Sequence, residues 1–67
     1  MTYGELKRRL RQLGIVLRRE AARHEVWWNP STGRRTLIPR HRGEVPRGTL
    51  HTILRDLGFT ERDLEQR

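Results

Sequence analysis

Apolar residues recur along this chain with two different periods, and the change from one to the other lays out its elements. Tyr3, Leu6, Leu10 and Leu13 stand three or four residues apart, with Lys7, Arg8, Arg9 and Arg11 between them. That spacing predicts an amphipathic helix buried along one stripe. Thr2-Tyr3-Gly4-Glu5 matches a capping box, which would satisfy unpaired amide donors and start the helix near Tyr3. Leu13-Gly14-Ile15 reads as a left-handed glycine cap with an apolar residue folding back after it.

The period then shortens. Ile15-Val16-Leu17 leads into Arg18-Arg19-Glu20, a strand over about 15–20, and a tight turn follows through Ala21-Ala22. A second strand carries His24, Val26 and both tryptophans to about Trp28. Alternation places His24, Val26 and Trp28 on one face and Arg23, Glu25 and Trp27 on the other. Trp27 is then the core residue if the His24 face is open, and Glu25, pointing away, is a poor partner for the imidazole. Asn29-Pro30-Ser31-Thr32-Gly33 is a dense cluster of turn formers. A third strand runs from Arg34 or Arg35 to Ile38 and should stop at Pro39. The short connections make the three strands an antiparallel meander.

Arg40-His41-Arg42-Gly43-Glu44 has no apolar period and reads as a basic loop. Pro46 suits the first turn of a second helix, whose buried stripe is Leu50, Ile53, Leu54 and Leu57. Leu57-Gly58-Phe59 repeats the earlier glycine cap. Thr60-Glu61-Arg62-Asp63 starts a last helical turn anchored by Leu64 alone, so 60–67 should be short and frayed. The fold class is therefore α+β: helix, three strands, helix. Two helices that each bury one face must cover the same side of the sheet and leave the other side open. This is the double-stranded-RNA-binding-domain type of architecture.

At 67 residues the chain reads as one domain over 1–67, too small for a deep cavity. With no cysteine it has no disulfide and no thiolate zinc site. No apolar run approaches the roughly 20 residues of a membrane span, and a cytoplasmic location is expected. Charge changes the picture most. Fifteen Lys and Arg against eight Asp and Glu give +7. The surplus is uneven: residues 1–42 hold eleven basic and three acidic side chains, and residues 43–67 four and five. A polyanion is the natural partner, and narrow core-facing apolar stripes favour nucleic acid over a lipid surface.

The chain resembles the HicA family of small toxins from bacterial and archaeal toxin–antitoxin pairs. The likeness rests on the helix ending in Leu13-Gly14, on a histidine after the first hairpin with an aromatic three residues later at Trp27, and on Ile38-Pro39. Above all it rests on Pro46-Arg47-Gly48-Thr49-Leu50 followed by Ile53-Leu54-Arg55-Asp56-Leu57-Gly58. The resemblance implies the same fold, activity as a ribosome-independent mRNA interferase, and a HicB-type antitoxin that covers the active face. The family's essential histidine falls on His24. Relatives usually carry Gly-Ser or Gly-Gly where this chain has Ala22-Arg23, a departure that bears on the hairpin turn and on the reach of His24.

RNA carries its own nucleophile, the 2′-hydroxyl, so a ribonuclease needs no metal if one side chain moves a proton and cations neutralise the phosphate. His24 suits the first task, since imidazole transfers protons near neutral pH. Arginine suits the second, offering a planar fork of donors. Arg18, Arg19, Arg34, Arg35, Arg40 and Arg42, around the strand ends and the following loop, are the candidate phosphate ligands, and Arg23 ranks below them. Trp28, on the His24 face, is a candidate platform for a base or an apolar contact for a protein partner. His41 reads as a solvated loop residue and His51 as an exposed helix residue. No metal-ligand spacing, nucleophile–base motif or glycine-rich phosphate loop is present, so no cofactor is expected. The expected partners are single-stranded mRNA and the antitoxin. The alternatives are a non-catalytic RNA-binding module of the same fold, and a protein-interaction domain with an acidic partner.

Overall fold

The computed structural model describes residues 1–65. Its elements are α1 (Tyr3–Gln12), β1 (Val16–Glu20), β2 (His24–Trp28), β3 (Arg35–Pro39), α2 (Arg47–Leu57) and a short α3 (Glu61–Glu65). The strands pair antiparallel in the order β1-β2-β3, so β2 is central. The α+β order and the three-stranded meander are those expected. Residues 66–67, included in the expected frayed turn, lie outside the described residues.

Both glycine caps close as Schellman motifs. Gly14 has φ 90° and Gly58 φ 86°, and the amide of the following residue reaches back into the helix, Ile15 to the Leu10 carbonyl and Phe59 to the Leu54 carbonyl, each at 2.9 Å. Because Ile15 is held in that closure, β1 begins one residue later than its apolar run suggests. The Thr2 hydroxyl accepts from the Glu5 amide at 3.1 Å, but Glu5 Oε2 takes the Arg9 guanidinium at 2.9 Å instead of turning back to Thr2. Only half of the expected capping box forms. A complete one forms at α3: the Asp63 carboxylate accepts from the Thr60 amide at 2.8 Å and the Thr60 hydroxyl from the Asp63 amide at 3.3 Å.

Two prolines sit one position away from expectation. Pro39 belongs to β3, in register with His24. It is the last residue of an edge strand, where a missing donor is tolerated. Pro46 caps α2 from outside, with extended backbone at ψ 145°, and its carbonyl accepts the Leu50 amide at 2.9 Å.

The core lies on one side of the sheet. Trp27 and Ile38 from the strands pack with Leu6 and Leu10 of α1 and with Ile53, Leu54 and Leu57 of α2, all at most 2 % exposed. Each such aliphatic side chain stabilises the fold by about 1.5–3 kcal/mol through its removal from water. Leu64 is 1 % exposed, and Arg9 Nη1 donates to its carbonyl at 3.2 Å, so α3 is tied to α1 and to the core. The opposite face carries His24, Val26 and Trp28 of β2 beside Leu37 of β3, which is 58 % exposed. Both helices thus serve one face, and the other is open.

Candidate functional site

His24 is the first residue of the central strand, and its imidazole is exposed on the open face. The preceding turn needs no glycine. No non-glycine residue among those described has positive φ, so Ala22-Arg23 adopts the connection without strain. The turn is closed from Ala21 N–H to the His24 carbonyl at 2.8 Å. Arg40, just past β3, clamps it from the side: its amide donates to the Arg23 carbonyl at 2.9 Å, and its Nη1 donates to the Ala21 carbonyl at 3.1 Å. A residue on the neighbouring strand's exit therefore sets where His24 begins.

Glu25 faces the helices, as alternation requires, and does not orient the imidazole. Its role there was not evident from the sequence. It is 7 % exposed, accepts from Trp27 Nε1 at 3.0 Å, and pairs with Lys7 Nζ at 3.0 Å and more loosely with Arg40 Nε at 3.8 Å. Burial pushes its carboxyl up. The hydrogen bonds from Trp27 and Lys7 and the charges of Lys7 and Arg40 outweigh that, and the net effect holds it below the ordinary glutamate value. The signal for this hub was an acid on the inward face opposite a helix rich in bases.

The expected cationic residues separate into groups. Register places Arg19 opposite Val26 and Arg35 opposite Trp28, which puts both on the His24 face. A register shift between Leu17 and Arg19 leaves Arg18 as an inserted residue, and its guanidinium carbon lies 4.7 Å from the Trp28 ring centroid. Trp28 is half-buried on this face, beneath that guanidinium. Arg40 and Arg42 flank His41, whose ring meets the edge of Tyr3 at a centroid distance of 5.9 Å. Arg34 has a different role. Its Nε donates to the Asp56 carbonyl at 2.8 Å and its Nη2 to the Arg55 carbonyl at 3.0 Å, which caps the C-terminus of α2. Asn29 Nδ2 donates to the Leu57 carbonyl beside it at 3.0 Å. The β2–β3 turn is thus docked onto α2.

Two surface grooves meet at His24. One is walled by Ala22, Arg23 and Pro39 with the basic Arg40-His41 loop. The other runs between β3 and α2, walled by Thr36, Leu37 and Pro39 on one side and Thr49, Thr52 and Asp56 on the other. Asp56 Oδ2 accepts from the Thr36 hydroxyl at 3.0 Å, which fixes the floor of that second groove. Among the described residues no group of three or more His, Cys, Asp or Glu side chains is gathered as a metal site, and no helix is long and apolar enough to cross a membrane.

A sheet covered on one face by two helices, bearing an unobstructed imidazole and a rim of arginines on the other, defines a small cationic α+β protein. The family model described as the HicA toxin of bacterial toxin–antitoxin matches residues 3–59, and the chain belongs to that family. Membership implies a cognate antitoxin as partner. A comparison with curated proteins finds no match.

Proposed function

We propose that this chain is the toxin of a toxin–antitoxin pair and acts as a metal-independent endoribonuclease on single-stranded mRNA in the cytoplasm, with His24 as its proton-transfer group. The observation that carries the reading is the position of His24: exposed at the start of the central strand, at the junction of two grooves, in a chain of the HicA family. The substrate's 2′-oxygen attacks phosphorus, the P–O5′ bond breaks, and a 2′,3′-cyclic phosphate and a 5′-hydroxyl remain. His24 serves as general base toward the 2′-hydroxyl or as general acid toward the departing 5′-oxygen, a contribution of roughly 10²–10⁴-fold. Arg19, Arg35, Arg40 and Arg42, with Arg18 over Trp28, supply positive charge for the phosphates on either side. Trp28 supplies an aromatic ring for a base. Arg34 serves indirectly, through its hold on α2.

The antitoxin is proposed to be HicB-like and to cover the same face. Leu37 and Val16, 58 % and 42 % exposed, flank Val26 and Trp28 and form an apolar strip with arginines around it, which suits a partner with an apolar centre and an acidic rim. The non-catalytic binding module remains the second reading, favoured by one observation: no described residue donates to or accepts from the His24 ring, so nothing among the described residues fixes its tautomer.

The test is incubation of purified chain and of His24→Ala with a long single-stranded RNA in excess EDTA. Cutting by wild type alone, with equal RNA binding by both, upholds the ribonuclease. Failure of both to cut, with binding retained, leaves the binding module.

A further inference from the structure

Residues 43–67 carry a slight acidic excess, yet their cations are not scattered. Residues 43–67 contain four basic side chains, Arg47, Arg55, Arg62 and Arg67. Three of the four line a single cleft of about 940 Å³ between α2 and α3, accompanied by His51. Of the five carboxylates in the same stretch only Glu61 lines it. Charge is therefore segregated within a segment whose overall balance would not require it.

Arg47, His51 and Arg55 follow at intervals of four on α2 and form one exposed stripe. Among the described residues none of Arg47, Arg55 and Arg62 has a carboxylate within ion-pair distance. The floor beneath them is apolar, formed by Leu54 and the half-buried ring of Phe59. Unpaired cations along one bank and an aromatic on the floor are what a single strand of nucleic acid uses: charge for the backbone, a ring for a base.

The cleft and the groove at His24 adjoin at one residue. Gly48 lines both, and a Cβ added there would meet nothing within 4 Å. No packing demands a glycine at this position, and its missing side chain keeps the saddle between the two depressions low. We infer that a bound RNA strand leaves His24 over Gly48 and enters the α2–α3 cleft, where Arg47, His51 and Arg55 hold its phosphodiester backbone and Phe59 supports a base. The inference rests on the reading of this chain as an RNA-binding protein, but not on its cutting RNA. It adds a second binding stretch to the arginines of the open sheet face.

The experiment measures affinity for 2′-O-methyl RNA, which lacks the nucleophile, in lengths of about 4 and about 12 nucleotides at several salt concentrations. Wild type, Arg47→Gln/Arg55→Gln and Gly48→Leu are compared, with circular dichroism and a thermal melt showing that each variant folds. The double variant is expected to lose roughly tenfold in affinity for the longer RNA, to keep the shorter one, and to lower the slope of log affinity against log salt by about 1.4, two phosphates at about 0.7 each. Gly48→Leu, which changes no charge, is expected to weaken the longer RNA alone. Equal affinity of all three proteins at both lengths overturns the inference, as does a double variant that keeps RNA binding and loses only the antitoxin. If wild type binds neither length, the RNA reading itself falls and this path with it.

Discussion

Trp27 Nε1 donates to the Glu25 carboxylate at 3.0 Å, two residues apart on one face of the central strand, and Lys7 of α1 closes on the same oxygen at 3.0 Å. The pair joins the buried face of the sheet to the first helix, and it makes stability depend on acid. Glu25 is held below its ordinary value in the fold. The stability it contributes is present above the unfolded glutamate value and is lost as the pH falls through the lowered folded one. Glu25→Ala strands the Trp27 N–H and the Lys7 ammonium and should cost about 2 kcal/mol near neutrality. Thermal melts of wild type and variant from about pH 7 to about pH 3 should converge at the acid end. A constant gap across that range would show that the carboxylate's charge has no part in it.

His24→Ala is the variant on which catalysis turns. An exposed side chain with no partner among the described residues leaves no hole and no orphaned group, so the melting temperature should not move. The cutting rate should fall by roughly 10²–10⁴-fold while affinity for uncleavable RNA stays level. A rate that survives the substitution assigns proton transfer to another group.

How far the sequence goes can be judged residue by residue. The helical stripes, both glycine caps and the separation of His24 from Trp27 across the strand were legible, because each follows from a local period or from one residue's allowed backbone. The fate of Arg34 was not, since its acceptors are carbonyls about twenty positions away that only the folded chain brings near. The insertion at Arg18 was hidden for the same reason: a register shift belongs to a pair of strands. Glu25 looked idle because its alternation was read against His24 and not against the bases of α1. For the site, the face was readable, but the grooves that meet at His24 exist only once α2 lies against β3.

Arg34 and Arg35 are adjacent in sequence and should behave oppositely. Arg34→Ala removes two hydrogen bonds from the last turn of α2 and should destabilise the fold by about 1 kcal/mol, with the salt dependence of RNA binding unchanged. Arg35→Ala, on the open face opposite Trp28, should leave the melt alone and lower the salt slope by about 0.7, the share of a single neutralised phosphate. Measuring both quantities on both variants checks the division. A slope that drops for Arg34→Ala would return it to the RNA surface.

Trp28→Ala should weaken RNA binding by about 1–3 kcal/mol if a base stacks on the ring. Arg18, whose guanidinium sits over the ring at 4.7 Å, then loses its support, and Arg18→Ala should reproduce part of the loss. A titration with abasic RNA separates stacking from charge: the Trp28→Ala deficit should vanish there and the Arg18→Ala deficit should shrink without vanishing. A Trp28→Ala protein that binds RNA normally but no longer binds the antitoxin would make the ring a protein contact alone.

Two glycines of α2 and its cap predict opposite signs for the same substitution. Gly58 stands at φ 86°, and a Cβ there would lie 3.3 Å from Arg34 Cδ, so Gly58→Ala meets both an unfavourable backbone and the side chain that caps the helix. It should cost about 1–2 kcal/mol, the usual penalty for a left-handed residue with a side chain. Gly48 lies within the helix with nothing in reach of an added methyl, and Gly48→Ala should raise stability by about 0.4–1 kcal/mol by restricting the unfolded chain. Chemical denaturation of the two variants reads both signs. A destabilised Gly48→Ala would mean that the saddle beside His24 is closely packed, and the path for a strand over it would be closed.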